Sequence, residues 1–202
     1  MIGGGTPQPF QRRALFADLE RVAVHWHCPP LHLAEGERTL GRMPREPLRA
    51  DDCAVCRSLT PEAAREADVV FENELWHVRH APAPFGVPGW MMLLSQRHVP
   101  GPAHFDDLEA ESFGVTLRHL QRVLEEVTFA LRIYTAAMGE SSPHFRAHMV
   151  PRTASMPKDA KAWGVFDLQR AAAIGEIEVD LVAAKTLSAR YREALRASPP
   201  PR

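Results

Sequence analysis

The chain reads as an α+β protein on three observations. Five apolar or alternating runs of strand length fall within its middle hundred residues, one much longer run repeats at helical spacing, and Gly/Pro-containing segments separate several of them. With 202 residues it can bury a core as one domain with additions at either end.

Taken in order, Phe10 to Val24 is expected to form a short amphipathic helix with Leu15, Leu19 and Val22 on one face. Pro29-Pro30 closes off the segment after this helix, and a polar, proline-containing connector runs from Glu35 to Asp52. Val69 to Glu72 and Leu75 to His80 are expected strands around a turn at Asn73-Glu74. Ala81 to Gly89 is a Pro/Gly loop, and Trp90 to Ser95 an apolar strand. Asp106 to Leu131 is the longest expected helix, with Phe113, Leu117, Leu120, Leu124, Val127 and Leu131 at spacings of four and three. Asp106 and Glu109 make a capping box behind the apolar Phe105. Ile133 to Ala137 and His144 to Val150 are two further strands, joined through Gly139-Glu140-Ser141-Ser142-Pro143. Beyond Arg152, Lys161 to Leu168 is amphipathic without a defined element. Ile177 to Leu195 reads as a helix with Leu181, Ala184, Leu187, Tyr191 and Leu195 near one face, and Ser198 to Arg202 as a frayed end. The organisation expected is an N-terminal helical extension and connector (1–50), a central domain (51–152) and a C-terminal helical extension (153–202).

Charge narrows the function classes. Lys and Arg number 24 against 25 Asp and Glu, so no overall field favours nucleic acid or an anionic membrane, and any anion site must be local. Met1 to Gln8 lacks a basic run leading into an apolar core, and no apolar run has the length of a membrane span. Three cysteines form no even disulfide framework. A cytoplasmic protein with neither a nucleic-acid nor a membrane partner is expected.

Two segments carry chemistry. In the stretch from His144 to Arg152, alternation along a strand places His144, Arg146 and His148 on one face, a cationic hydrogen-bonding patch suited to a phosphate. Cys53-Ala54-Val55-Cys56 offers two thiolates at a spacing that lets both reach one tetrahedral ion, although two buried thiols or a redox pair have the same spacing. Other candidates are weaker. The segment His25-Trp26-His27-Cys28 with His32 is interrupted by prolines and reads as connector, while His77 and His80 point to opposite faces of one strand. His119 is expected on the solvated side of the long helix. Trp26, Trp76, Trp90 and Trp163 are expected in core or interface positions, Trp90 nearest the pocket.

From Cys53 to Arg152 the order CxxC, hairpin, Pro88-Gly89, strand, Arg97-His98-Val99, long helix, strand, His144-Phe145-Arg146-Ala147-His148 and Pro151-Arg152 resembles the histidine triad superfamily. The resemblance implies a HIT-like fold: a five-stranded antiparallel sheet with a long packed helix, forming a homodimer through helix and sheet edge. It implies binding and transfer or hydrolysis of a nucleoside phosphate. It also implies one structural zinc ion held by Cys53, Cys56, His98 and His144, a closed site that stabilises without catalysing.

One residue departs from that pattern. The family's middle histidine is a nucleophile whose neutral imidazole attacks the α-phosphorus, and here the position is Arg146. A guanidinium stays protonated and offers five donors and no lone pair, so it can grip a phosphate but cannot attack one. The chain also has Pro88-Gly89-Trp90 where the family commonly has Pro-Gly-His, and a short acidic turn, Gly139 to Pro143, before the triad strand. The expected function is binding of a nucleotide or other phosphorylated small molecule through Arg146 and His148, with Ser141 or Ser142 as further donors. Two alternatives stay open. One is a nucleotide hydrolase or nucleotidyltransferase in which His148 is catalytic; the other is a non-catalytic, zinc-stabilised interaction module.

Overall fold

The structure, a computed structural model, describes residues 48–66, 69–139 and 142–201. The expected helix Phe10 to Val24, the His25–His32 segment, Glu140 and Ser141 lie outside them. The described residues belong to one compact unit, Pro44–Arg202.

Two short helices, α1 (Ala54–Ser58) and α2 (Pro61–Glu66), lead into β1 (Val69–Glu72) and β2 (Trp76–His80). Asn73 makes the turn between these strands, its Oδ1 accepting from the amides of Leu75 and Trp76 at 3.0 and 2.7 Å. Next come β3 (Met91–Ser95), α3 (Asp107–Thr128), β4 (Arg132–Ala137) and β5 (Arg146–Arg152), and the chain finishes with α4 (Val165–Ala173) and α5 (Leu181–Ala197). The strands form the expected five-stranded sheet, antiparallel throughout, in the order β1-β2-β3-β5-β4. β3 is central and buried along its whole length.

The sheet's two faces do different work. One packs Trp76, Val78, Met91, Leu93, Phe145, Ala147 and Met149 against Leu120, Leu124 and Val127 of α3 and Tyr191 and Leu195 of α5. Trp76, Phe105, Phe113 and Phe145 meet there at centroid distances of 5.0 to 6.2 Å. The other face carries His77, Arg79, Met92, Leu94, Arg146, His148 and Val150. It is covered in part by a smaller core of Val87, Trp90, Val150 and Val165, with Phe166 and Leu168 of α4 against it.

The capping box forms as expected, with Asp106 accepting from the Glu109 amide (3.0 Å) and Glu109 from the Asp106 amide (3.1 Å). Glu109 is fully buried and also receives both Nε and Nη2 of Arg97, at 2.9 and 2.8 Å. This bidentate pair ties the loop that carries His98 to the start of α3.

Several expectations are corrected. Helix α3 stops at Thr128 rather than Leu131, because Phe129 turns left-handed (φ 53°) and ends the hydrogen-bond ladder. Strand β5 begins two residues later than expected because the Phe145 amide goes to the carbonyl of Val99. It then runs through Pro151. Arg152's carbonyl accepts from Leu131 of the β4 side, so Pro151's nitrogen faces the β3 side. There the pairing has already ended at Met91↔Met149, and the missing N–H has no strand to serve. His119 is buried, not solvated, because Nε2 donates to the carbonyl of Ser198 (2.7 Å); the same bond orders the segment after α5. Of the core or interface positions expected for Trp163, core is excluded, since the side chain is 76% exposed. No described helix is long and apolar enough to cross a membrane.

Candidate functional site

The first site gathers Cys53, Cys56, His98 and His144, whose ligand atoms all lie within 4.8 Å of one another. Each comes from a different local device. Cys53 is the N-cap of α1 and Cys56 lies one turn on, so the CxxC spacing turns both sulfurs inward. His98 stands in the loop after β3, its amide donating to the carbonyl of Leu48 (2.7 Å). His144 immediately precedes β5 and is 1% exposed.

Three of the distances match those around a tetrahedral ion. Zinc with sulfur at about 2.3 Å and nitrogen at about 2.05 Å requires S···N edges of about 3.6 Å. The edges here are 3.4 Å (Cys56 Sγ to His98 Nδ1), 3.4 Å (Cys56 Sγ to His144 Nδ1) and 3.7 Å (Cys53 Sγ to His144 Nδ1). His144 Nε2 donates to the carbonyl of Ser95 at 2.8 Å, which leaves the Nδ1 lone pair for a metal. Burial would raise the Cys53 thiol, but hydrogen bonds chiefly from Ser142 Oγ (3.0 Å) and the Cys56 amide outweigh it and bring it down to about 6. The thiol of Cys56 is pushed up, burial being the largest cause. Ser142 therefore sits with the sulfurs and is buried there.

The second site is a cleft of about 440 Å³ on the sheet face opposite α3. Arg146 and His148 line it from β5, Met92 from β3 and Arg79 from β2, and Val55 of the CxxC turn reaches it from the side of the Cys/His cluster. Register explains the grouping. Arg79 pairs with Met92 and Met92 with His148, so one row across three strands carries two of the polar groups. Arg146 enters from the next row, opposite Leu94. Sequence reasoning misses Arg79, because only the strand order brings β2 within one strand of β5. It also misses Phe166 and Gln169 of α4, which line the same cleft.

The polar groups are donors by construction. Trp90 Nε1 lies 3.0 Å from His148 Nδ1. An indole nitrogen can only donate, so Nδ1 accepts and the neutral ring carries its proton on Nε2. Burial, and secondarily the charge of Arg146, push the His148 pKa down to about 4, so that neutral form prevails at ordinary pH. Arg146 Nη1 donates to the carbonyls of Ser142 (3.2 Å) and His144 (3.3 Å). These bonds use both Nη1 hydrogens and leave Nε–H and Nη2 for a ligand. Arg79 Nη2 donates to Ser58 Oγ (3.0 Å), while its buried Nε has no hydrogen-bond partner among the described residues. Arg146 and His148 thus line the cleft, whereas His144 turns to the cysteines.

The chain is similar in structure to a zinc-bound histidine triad family protein from Mycobacterium smegmatis (TM-score 0.51, 15% identity, 72% of this chain and 94% of that one). It is also similar to a hypothetical histidine triad nucleotide-binding protein from Sulfolobus tokodaii (TM-score 0.52, 14% identity, 72% and 93%). A histidine triad protein from Bradyrhizobium japonicum gives a TM-score of 0.50 at 17% identity, over 68% and 96% of the two chains. No protein-family model and no curated protein matches the chain. At these identities what is shared is the fold.

Proposed function

We propose that this chain, with its histidine triad fold, binds a nucleotide or other phosphorylated small molecule without forming a covalent intermediate. A structural zinc ion on Cys53, Cys56, His98 and His144 braces the site. The observation that carries the reading is the donor set of the cleft. Arg146 has no lone pair, and Trp90 holds His148 in the tautomer whose Nε2 bears a proton. Both residues can meet a phosphate oxygen, and neither presents a nucleophilic nitrogen. The alternative in which His148 attacks requires breaking the Trp90 bond and reversing the tautomer. Arg79 adds a second guanidinium on the same wall.

For zinc, the support is the match of three S···N edges to tetrahedral geometry and the carbonyl that fixes the His144 tautomer. A zinc-bound protein of the same fold is consistent with it. Bound there, the ion would hold the CxxC turn against the start of β5 and supply folding energy, with all four positions taken by protein ligands.

Calorimetric titration with inorganic phosphate, AMP, ADP and UMP tests the proposal. Binding tighter than about 1 mM for at least one of them is expected, with no turnover of a nucleoside phosphoramidate. Absence of binding at that level, or turnover abolished by His148→Ala and retained by Arg146→Ala, overturns it.

A further inference from the structure

Four rings run in file from the anion-binding residues toward solvent. His148 and Trp90 have centroids 5.9 Å apart, Trp90 and Phe166 5.5 Å, and Phe166 and Trp163 5.9 Å. Phe166 is half-buried and lines the cleft, and Trp163 stands at the outer end, 76% exposed. An aromatic side chain this open leaves apolar surface in water unless a ligand covers it.

The segment that presents these rings is fastened to the cleft rim. Gln169 of α4 accepts from the Gly86 amide (2.9 Å) and donates to the carbonyl of Pro84 (2.6 Å), so both ends of its amide grip the loop after β2. A Cβ on Gly86 would fall 2.5 Å from Gln169 N and from Leu168 C, so only glycine permits this approach of loop to helix backbone. Ahead of α4, Ala162 adopts a left-handed conformation (φ 50°), which an alanine takes at a cost. Its amide donates to Tyr134 Oη (3.1 Å), and Gly164 packs where a Cβ would lie 2.8 Å from the Asp159 carbonyl oxygen. The turn bearing Trp163 is held in place by these contacts.

We infer that Phe166, flanked by Trp90 and Trp163, is a stacking wall for a planar ring joined to the phosphoryl group bound at Arg146 and His148. The C-terminal segment thereby sets the ligand class. This rests on the phosphate reading above and deepens it. The shared chemistry is a flat ring within a few bonds of a phosphate, supplied either by a nucleoside monophosphate or by an aryl phosphate. Stacking on an aromatic side chain tolerates either, because every such ring presents a π-face.

The test is calorimetry on the full chain with inorganic phosphate, ribose 5-phosphate, AMP and 1-naphthyl phosphate. At least one ring-bearing ligand should bind roughly ten-fold or more tighter than ribose 5-phosphate, in keeping with stacking on one side chain. That ratio should collapse to within about three-fold in Phe166→Leu, which keeps apolar volume but removes the π-face, and fall partway in the surface variant Trp163→Ala. AMP ahead of naphthyl phosphate identifies the nucleoside source, and the reverse order the aryl source. Equal affinity for all four ligands, or a ratio that Phe166→Leu leaves intact, overturns the inference while the phosphate reading stands. Failure of every ligand, inorganic phosphate included, overturns both.

Discussion

Replacing Arg146 by alanine removes a countable set of bonds. Nη1 is committed to the carbonyls of Ser142 and His144, so a phosphate would meet Nε–H and Nη2, two charge-assisted bonds in the parallel arrangement a guanidinium favours. Hydrogen bonds to charged groups contribute about 1.5–3 kcal/mol each. Arg146 is only half-buried, water can replace part of the loss, and Arg79 and His148 remain. We therefore expect about 2–3 kcal/mol, or roughly 30- to 150-fold in Kd. Arg146→Lys keeps the charge but cannot serve both carbonyls and a two-oxygen grip at once, so about a ten-fold loss is expected. The assay is titration with inorganic phosphate near pH 8, above its second ionisation, with zinc content and thermal midpoint checked for each variant. A folded Arg146→Ala protein whose Kd stays within about two-fold of the parent refutes the assignment of this residue to the anion site.

The geometry sets three further outcomes. Protein purified without added zinc should carry about one ion per chain, His144→Ala under about a tenth, with a lower thermal midpoint; an unchanged midpoint after chelation removes the structural role. His148 is depressed to about 4 in the folded state, so between its ordinary value near 6.5 and about 4 the unfolded chain takes up a proton that the folded one refuses. Its contribution to stability is thus present above about 6.5 and lost as pH falls through that window, and phosphate affinity should not decline between about pH 6.5 and 8, as it would if a protonated imidazole were needed; NMR titration of the ring reads both. Arg97→Ala leaves the buried Glu109 carboxylate without its bidentate partner and should destabilise by about 3–5 kcal/mol in denaturant titration, whereas a loss below about 1 kcal/mol shows that the pair is dispensable.

What the sequence discloses depends on how local the signal is. The capping box of Asp106 and Glu109 and the inward-turned pair Cys53 and Cys56 are legible because a single turn of helix decides them. His98 and His144 are legible only through the order of motifs that resembles a known superfamily. Residue spacing alone leaves ten histidines as candidates. Arg79 is invisible because it joins the cleft by register across two neighbouring strands, which no local pattern encodes. Phe166 and Gln169 are hidden for a related reason. Their segment is amphipathic in sequence, yet what matters is a glycine some eighty residues earlier that lets the helix backbone close against a loop. Burial of His119 likewise hangs on a carbonyl at the far end of the chain.

The two bonds from Arg146 Nη1 have one more consequence. They end on the backbone of Ser142 and His144, whose side chains belong to the sulfur cluster. The guanidinium proposed to meet an anion on one side is therefore, on the other, a strut of the Cys/His cage that would hold the ion. If filling the cage steadies that strut, thermodynamic linkage makes the effect mutual: the factor by which zinc tightens the anion is the factor by which the anion tightens zinc. A histidine at this position could not serve both of those carbonyls and an anion at once. With both sites filled, Arg146 would join two binding events into one cycle without offering a nucleophile.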